Sequence, residues 1–469
     1  MTIPPFFSEK VVPFMNEQSK RMLQGPLLPS IISYTIPIIL TSILQLLFNA
    51  ADLVVVGRFC GSISVAAVGA TGSITNLIIN LFIGLSVGVG VAVAQGMGAR
   101  MDSAVHRTIH TAIPAALICG AVLTVIGVSL AEPLLRMMGT PDDVLPLSAL
   151  YMRFYFCGMT FTMLYNFSAS ILRAAGDTKS PLIFLTIAGV INVVLNVIFV
   201  TVLHMDVAGV ALATSISHAI SAFLVIRTLM RRTDACKLEL RKLRIYKPEL
   251  IRIIRIGLPA GIQSSLFSVS NVLIQSSINS FGGTFMSGNA AASNLESFVY
   301  MAMNAFYQTT VNFTGQNVGA RQYRRVRRLI GLCLCCVTVV GTVLSVLLCV
   351  FSEQLLSIYI TDSAEAISHG ALRLMVVCLP YFLCGMMEVS TGALRGMGAS
   401  MAPMIMSVLG VCGVRIGWIL TVFQIPQYHT PFSLFVSYPI SWGFTFMAQM
   451  AAFWIVYRRH VKAYAALQK

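Results

Sequence analysis

The chain has 469 residues, of which 57% are hydrophobic and only 10% charged, and its mean hydropathy is +0.81. That composition excludes an ordinary soluble enzyme and points to an all-α polytopic membrane protein. The net charge of +15 raises nucleic-acid binding, but its distribution answers otherwise. With a cytoplasmic N-terminus and twelve spans, every Lys and Arg except Arg58, Arg136, Arg153, Arg373 and Arg415 falls in a cytoplasmic segment. This is the positive-inside bias, and it places both termini inside.

Residues 1–30, with Pro4, Pro5, Pro13 and scattered charge, lack the apolar core of a signal peptide, so the first span is expected to remain as an anchor. That span, about 31–56, carries Asp52 in an otherwise lipid-compatible run. Asn49, Gln45 and Thr41 lie three, seven and eleven residues before it, which makes one narrow polar face that looks towards other helices or water. An ionised Asp at mid-bilayer costs about 2.5–3.5 kcal/mol on insertion scales, and the low dielectric disfavours its charged form. Such a group is suited to taking up and releasing a cation. Pro37 removes one backbone donor and permits a kink in the same helix.

The remaining spans follow at about 65–95, 108–131, 147–172, 181–203 and 207–230, then 253–279, 286–316, 329–351, 369–394, 402–423 and 433–457. Residues 31–230 thus form one six-helix lobe and 253–457 a second. The basic segment 231–252 between them reads as an amphipathic cytoplasmic linker, and 458–469 as a cytoplasmic tail. The eleven Cys offer no disulfide pair in any loop, and Cys333, Cys335 and Cys336 read as small packing residues. No metal site or cofactor is expected.

The halves are copies. Adding 222 superposes Pro37 on Pro259, Ser42 on Ser264, Asn49 on Asn271 and Gly61 on Gly283, and carries Leu172-Arg173-Ala174-Ala175-Gly176 onto Leu394-Arg395-Gly396-Met397-Gly398. One residue less carries Gln95-Gly96-Met97-Gly98-Ala99-Arg100 onto Gln316-Asn317-Val318-Gly319-Ala320-Arg321. An offset of six helices gives both copies the same orientation, a parallel repeat that places a substrate path between them.

Polar residues stack four apart at Asn76 and Asn80, Asn192 and Asn196, Asn271 and Gln275, and Asn304, Gln308 and Asn312. Any one amide could be a helix–helix hydrogen bond worth about 0.6 kcal/mol. The set, spread over both halves, is better accounted for by a hydrated cavity lined also by Gln45 and Asn49. Of the acids, only Asp52, Glu296 and Glu388 lie well within spans. None has a His or Ser partner at hydrolytic spacing, and there is no GxxxxGK[ST] phosphate loop, so neither an enzyme nor a nucleotide-driven pump is expected.

These residues resemble the MATE (multidrug and toxic compound extrusion) family of secondary transporters, over about residues 25–460. The carriers are Pro37 with Asn49-Ala50-Ala51-Asp52, the paired Gln95 and Gln316 blocks and the paired Leu-Arg-x-x-Gly turns. The resemblance implies twelve helices in two pseudo-symmetric six-helix lobes around a cleft. It also implies export of cationic or amphiphilic drugs in antiport with H+ or Na+ by a monomer of the bacterial cytoplasmic membrane. In the DinF-like branch an acid on the first helix faces an Asn and an Asp on the fifth and a Thr on the sixth. By motif these are Asp52, Asn192 and Thr214, with Asn196 in place of the second acid, and a lone carboxylate favours H+ over Na+. The seventh-helix acid of the NorM-like branch is absent at Leu266-Phe267-Ser268. Glu296 and Glu388 are then expected to serve coupling or a cationic substrate in the second lobe. Phe48, Tyr165, Phe298, Tyr300, Met301, Met303 and Tyr307 would suit flat cations. Two rivals remain: a flippase for a lipid-linked or amphiphilic metabolite, against which stands a cleft with only Arg415 deep in a span, and a receptor that transports nothing.

Overall fold

In a bilayer no water is available to the backbone, so each apolar run must satisfy its own N–H and C=O groups, and a helix does so within one segment. The computed structural model, which describes residues 17–361 and 363–467, is helical throughout its long elements. After the short α1 (Glu17–Gln24) come α2 (Leu27–Phe59), α3 (Ser62–Gly98), α4 (Asp102–Met137), α5 (Leu145–Cys157), α6 (Met159–Ala174), α7 (Lys179–Val197) and α8 (Asp206–Arg231). A second series follows as α9 (Lys247–Asn279), α10 (Gly283–Gly319), α11 (Tyr323–Val350), α12 (Ser352–Ser357), α13 (Ala364–Arg373), α14 (Tyr381–Gly396), α15 (Met401–Ser407), α16 (Val414–Leu420) and α17 (Pro431–Leu467).

Nine described helical segments are long and apolar enough to span a bilayer, and α13 with α14, bent by 44° at Leu379-Pro380, makes a tenth. Two further spans do not meet that simple test, for visible reasons. The pair α5 and α6 is interrupted at Gly158, and α10 has 37 residues but carries Asn289, Glu296, Asn304, Gln308 and Asn312. Twelve spans result, the architecture expected from the sequence. Their ends run a turn further than the apolar runs suggest, and α2 continues as one helix through Pro37.

The repeat is visible in the backbone. Arg100 and Arg321 both take left-handed φ, at 56° and 57°, where α3 and α10 end. Gly176 and Gly398, at 93° and 85°, end α6 and α14. Gly61 is matched by Gly282, both at φ 93°, and not by Gly283 as a uniform offset of 222 required. One residue fewer separates Asn271 from Gly282 than separates Asn49 from Gly61, and the reduced offset of the Gln95 and Gln316 blocks follows from it.

One large apolar core is built mainly from α3 to α8, and another from α10 to α17 with the start of α2. The two halves meet most closely along α3 and α9. Gly84 and Gly88 face Gly257 and Gly261, and a Cβ at Gly84 or Gly261 would strike the opposing backbone. Small residues four apart on both helices permit this approach. On the other side, α2 meets α10 through a Thr35–Thr309 hydroxyl contact of 2.8 Å and an edge-on Tyr34–Phe313 pair.

Two segments outside the predicted spans are docked. In 231–252, Cys236 and Leu238 are buried, Tyr246 donates its N–H to Thr111, Glu239 bonds His110, and Arg107 pairs with Glu249 at 2.7 Å. Within 1–30, residues 1–16 and the prolines among them lie outside the described residues. Met22 and Leu23 of α1 are buried, and Asn317 and Arg325 donate to the Met22 and Gly25 carbonyls.

Candidate transport site

A cavity of about 730 Å³ lies between the halves. Its lining includes Gln45, Asn76, Asn80, Asn271, Glu296, Asn304, Gln308 and Glu388, as the polar stripes predicted. Gln45, Asn76, Asn80 and Asn271 make no hydrogen bond to protein among the described residues. The amides therefore do not serve as glue between helices. They present donors and acceptors to the cavity. Gln308 does bond locally, to Asn304 at 2.9 Å.

Asn49 and Gln275 stand outside the lining and are exposed. The lining on α2 stops at Gln45 because the next turn is committed to α7, with the Phe48 ring lying over Gly189. On α9 it stops at Asn271, and Gln275 bonds Asn279 instead. Of the proposed aromatic and Met set, Tyr165, Tyr300, Met301 and Tyr307 line the cavity. Met303 is fully buried in the core, and Phe298 is 37% exposed.

One end of the cavity is closed by reciprocal latches. Gln95 donates to the Gly396 carbonyl and Gln316 to the Ala174 carbonyl, each at 2.7 Å. Each half thus caps the helix end that follows the other half's repeated arginine. This is the structural reason for the two repeated sequence blocks.

Asp52, Asn192, Asn196 and Thr214 come together away from this cavity, between α2, α7 and α8. Asn196 Nδ2 donates to Asp52 Oδ1 at 2.5 Å, and the Thr214 hydroxyl donates to Oδ2 at 3.4 Å. Asn192 Nδ2 donates to Thr214 at 3.3 Å, and Asn192 Oδ1 accepts from Asn196 at 3.3 Å. Asn196 is wholly buried, yet its Oδ1 has no partner among the described residues. A short π-helical turn, Ile198–Val202, begins just after it and aims the end of α7 at α2.

The second half holds a different cluster. Arg373 binds Glu296 Oε2 with Nη2 at 2.6 Å and Nε at 3.1 Å, and Asn289 with Nη1 at 2.7 Å, all buried. Glu296 is thus half of an ion pair and not a free acid. Among the described residues Arg395 hydrogen-bonds Tyr307 and Gln263 but no carboxylate, and Arg415 hydrogen-bonds only Ser441 and lies 4.0 Å from the Tyr438 ring centroid. Arg173, Arg395 and Arg415 all line the cavity. By the length of the apolar runs, Arg173 and Arg395 fall at cytoplasmic loop ends and Arg415 alone lies deep in a span. The signal that could have found them is the repeat itself, which preserves an Arg one turn before each helix-ending Gly. Further π-helical turns, Leu374–Cys378 and Val408–Gly413, adjoin Arg373 and Arg415.

A duplicated twelve-span bundle enclosing a polar cavity where its halves meet defines a membrane transporter. The chain belongs to the MatE family, whose model matches it twice, at residues 37–198 and 259–419. It is 27% identical over 391 residues to the probable multidrug resistance protein YoeA of Bacillus subtilis, covering 82% of this chain and 84% of that one. It is 25% identical over 300 residues to the FAD transporter of Shewanella oneidensis, covering 62% and 65%. In fold it matches an outward-facing multidrug resistance MATE family transporter of the MOP superfamily with a TM-score of 0.85 at 21% identity, covering 95% of this chain and 98% of that one. Members of this family are transporters and not enzymes.

Proposed function

We propose that this protein is a secondary exporter of the bacterial cytoplasmic membrane, moving amphiphilic organic compounds outward in antiport with H+. The observation that supports it most is the Asp52 cluster. With Asp52 ionised, the Asn196 amide donates to it, as here. With Asp52 protonated, the carboxyl needs an acceptor, and rotating the same amide turns the unpartnered Asn196 Oδ1 towards it. One carboxylate among amides and a hydroxyl suits a proton better than a metal cation, and Na+ remains the outcome that would correct this assignment.

Asp52 lies outside the cavity, so ion and cargo do not compete for one spot. Helix α2 connects them. It carries Asp52 near one end, the lining residues Ile38, Thr41, Ser42 and Gln45 in the middle, and the contact with α10 at Thr35. A proton at Asp52 loosens α2 from α7, and α2 then rearranges about Pro37 and changes the cavity. Antiport requires that each ligand lower the affinity for the other, and that coupling is reciprocal. The latched ends of α3 and α10 lie on the positive, cytoplasmic side, so the form described is open outward. A potential of 100 mV supplies about 2.3 kcal/mol per charge, enough for roughly fifty-fold accumulation of a neutral cargo.

The expectation of a cationic cargo came from the family resemblance, with Glu296 and Glu388 as its candidate residues, and pairing of Glu296 with Arg373 leaves only Glu388 unpaired among them. Relatives named for multidrug resistance and for FAD transport show that family membership does not set the cargo. Arginines in the cavity also give the flippase reading an observation in its favour, since the earlier argument against it was their absence.

The test is ethidium or norfloxacin efflux from proteoliposomes under an imposed pH or Na+ gradient. Efflux driven by the pH gradient and lost in Asp52→Asn is expected. Undiminished efflux in Asp52→Asn removes the coupling site, and no efflux from wild type under either gradient turns attention to the flippase.

A further inference from the structure

The arginines of the second half do not behave as structural ion pairs. Arg373 does, and it serves as the internal comparison: all of its hydrogen bonds go to Glu296 and Asn289. Arg415 is only 4% exposed, yet its single hydrogen bond runs from Nε to Ser441, and neither Nη nitrogen has a partner among the described residues. Its guanidinium lies against Tyr438 and Trp442, with centroids at 4.0 and 5.5 Å, and all three line the cavity. Arg395 is 5% exposed and also lacks a carboxylate, and its Nε is buried without a partner. The Arg415 Nη nitrogens instead face the cavity with no carboxylate on them, and a guanidinium set in a protein wall without an anion is costly. Such a group in a cavity wall points to a ligand that supplies the anion.

We propose that the cavity binds an amphiphile bearing an anionic group, a carboxylate or a phosphate, held by the two Nη nitrogens of Arg415. The fork of Arg matches either anion bidentately. The rings of Tyr438 and Trp442, which sandwich the guanidinium on one side, leave an apolar wall for the body of the ligand. Glu388, 7% exposed and without a hydrogen-bond partner among the described residues, lines the same cavity and admits a second, cationic group on a zwitterion. This inference rests on the reading of the cavity as the cargo site, and adds the charge of what it carries.

The test uses two dyes built on one ring system, fluorescein as the anion and rhodamine 6G as the cation, with binding to the purified full chain in nanodiscs read by anisotropy. Arg415→Gln is expected to weaken fluorescein at least tenfold and to change rhodamine 6G by less than twofold, with Arg415→Lys in between because it keeps the charge and loses the fork. Equal affinity for fluorescein in wild type and Arg415→Gln overturns the proposal. So does equal loss of both dyes in Gln and Lys variants, which marks a structural role. Should Arg415→Gln not fold, wild type alone decides: fluorescein must bind more tightly than its uncharged, non-fluorescent diacetate ester, read by competition against fluorescein, and equal binding overturns the proposal. Nanodiscs of phosphatidylglycerol distinguish the source of the anion, since a lipid phosphate in the site lowers fluorescein affinity there and a free organic anion does not. Arg415-dependent fluorescein binding without gradient-driven efflux of any dye would retain this site and remove the exporter. Efflux of rhodamine 6G with no fluorescein binding would do the reverse.

Discussion

The two halves share a backbone and divide the chemistry. Adding 222 to Asp52, Asn192 and Asn196 gives Ile274, Val414 and Trp418, so the second half has apolar residues where the first has its ion cluster. Subtracting 222 from Arg373, Glu388 and Arg415 gives Tyr151, Asn166 and Val193, so the first half lacks the second's charges. Of the charged residues lining the cavity, only the pair Arg173 and Arg395 occupies equivalent positions. Duplication preserved what the fold needs, which is turns, prolines, latches and one Arg per half at the closed end. The residues that differ are free to bind different things, which on the proposed reading are a proton at Asp52 and a cargo in the cavity.

The sharpest way to break this division is to move the carboxylate. In Asp52→Asn, gradient-driven efflux is expected to fall at least a hundredfold while dye binding in nanodiscs stays within about threefold. Adding Ile274→Asp to that variant is expected to restore nothing, since Val414 and Trp418 offer the new acid no amide. Recovery of efflux would mean that either half can house the coupling ion and that the asymmetry has no functional content.

The next effect is on stability. Glu296→Gln leaves Arg373 charged, buried and short of its main partner, at a cost of about 3–5 kcal/mol. Thermal unfolding in detergent should show the loss, and Glu296→Leu with Arg373→Met together should recover most of it. If Glu296→Gln unfolds like wild type but loses dye binding, the pair belongs to the cargo site and not to the scaffold. Smaller again is the effect of the latches. Gln316→Ala removes one inter-half hydrogen bond of about 1 kcal/mol, about a fivefold shift towards the open cytoplasmic side. Gln95→Ala removes two, because Gln95 also accepts from Arg252 of α9 at 2.6 Å. Alkylation of a cysteine placed at Ala174, added from the cytoplasmic side, reads that shift, and the larger effect is expected from Gln95→Ala.

Sequence carried most of the fold because spans announce themselves by length and apolarity, and the repeat by its glycines and prolines. Sequence marked Asp52 because an acid in lipid is rare, and Asn192 and Asn196 because they lie one turn apart on one face, but only the family resemblance joined them to each other and to Thr214, which they meet in the structure. What it missed is the chemistry set by depth. Arg173 and Arg395 stand near helix ends, where a count of apolar residues assigns them to loops, and only the packing of α6 and α14 between the halves turns them into the cavity. The pairing of Glu296 with Arg373 joins α10 to α13, residues separated by 77 positions, and no local pattern encodes it. The α3–α9 contact likewise depends on glycines that are ordinary in one helix and become a seam only when two such helices meet.

The smallest expected effect tests where the cavity ends. Asn49 and Asn271 are equivalent by the repeat, yet Asn271 lines the cavity and Asn49 does not. Asn49→Ala is therefore expected to leave efflux and stability unchanged within about 0.5 kcal/mol, as an exposed site away from packing should. Asn271→Ala should weaken dye binding severalfold. The reason is the turn of α2 around Phe48, which packs on Gly189 and carries the helix towards the Asp52 cluster, so that the side chain after it leaves the cargo path. If Asn49→Ala impairs efflux as much as Asn271→Ala, then α2 swings back into the cavity during transport. The helix would then be moving in the way that coupling through Asp52 requires.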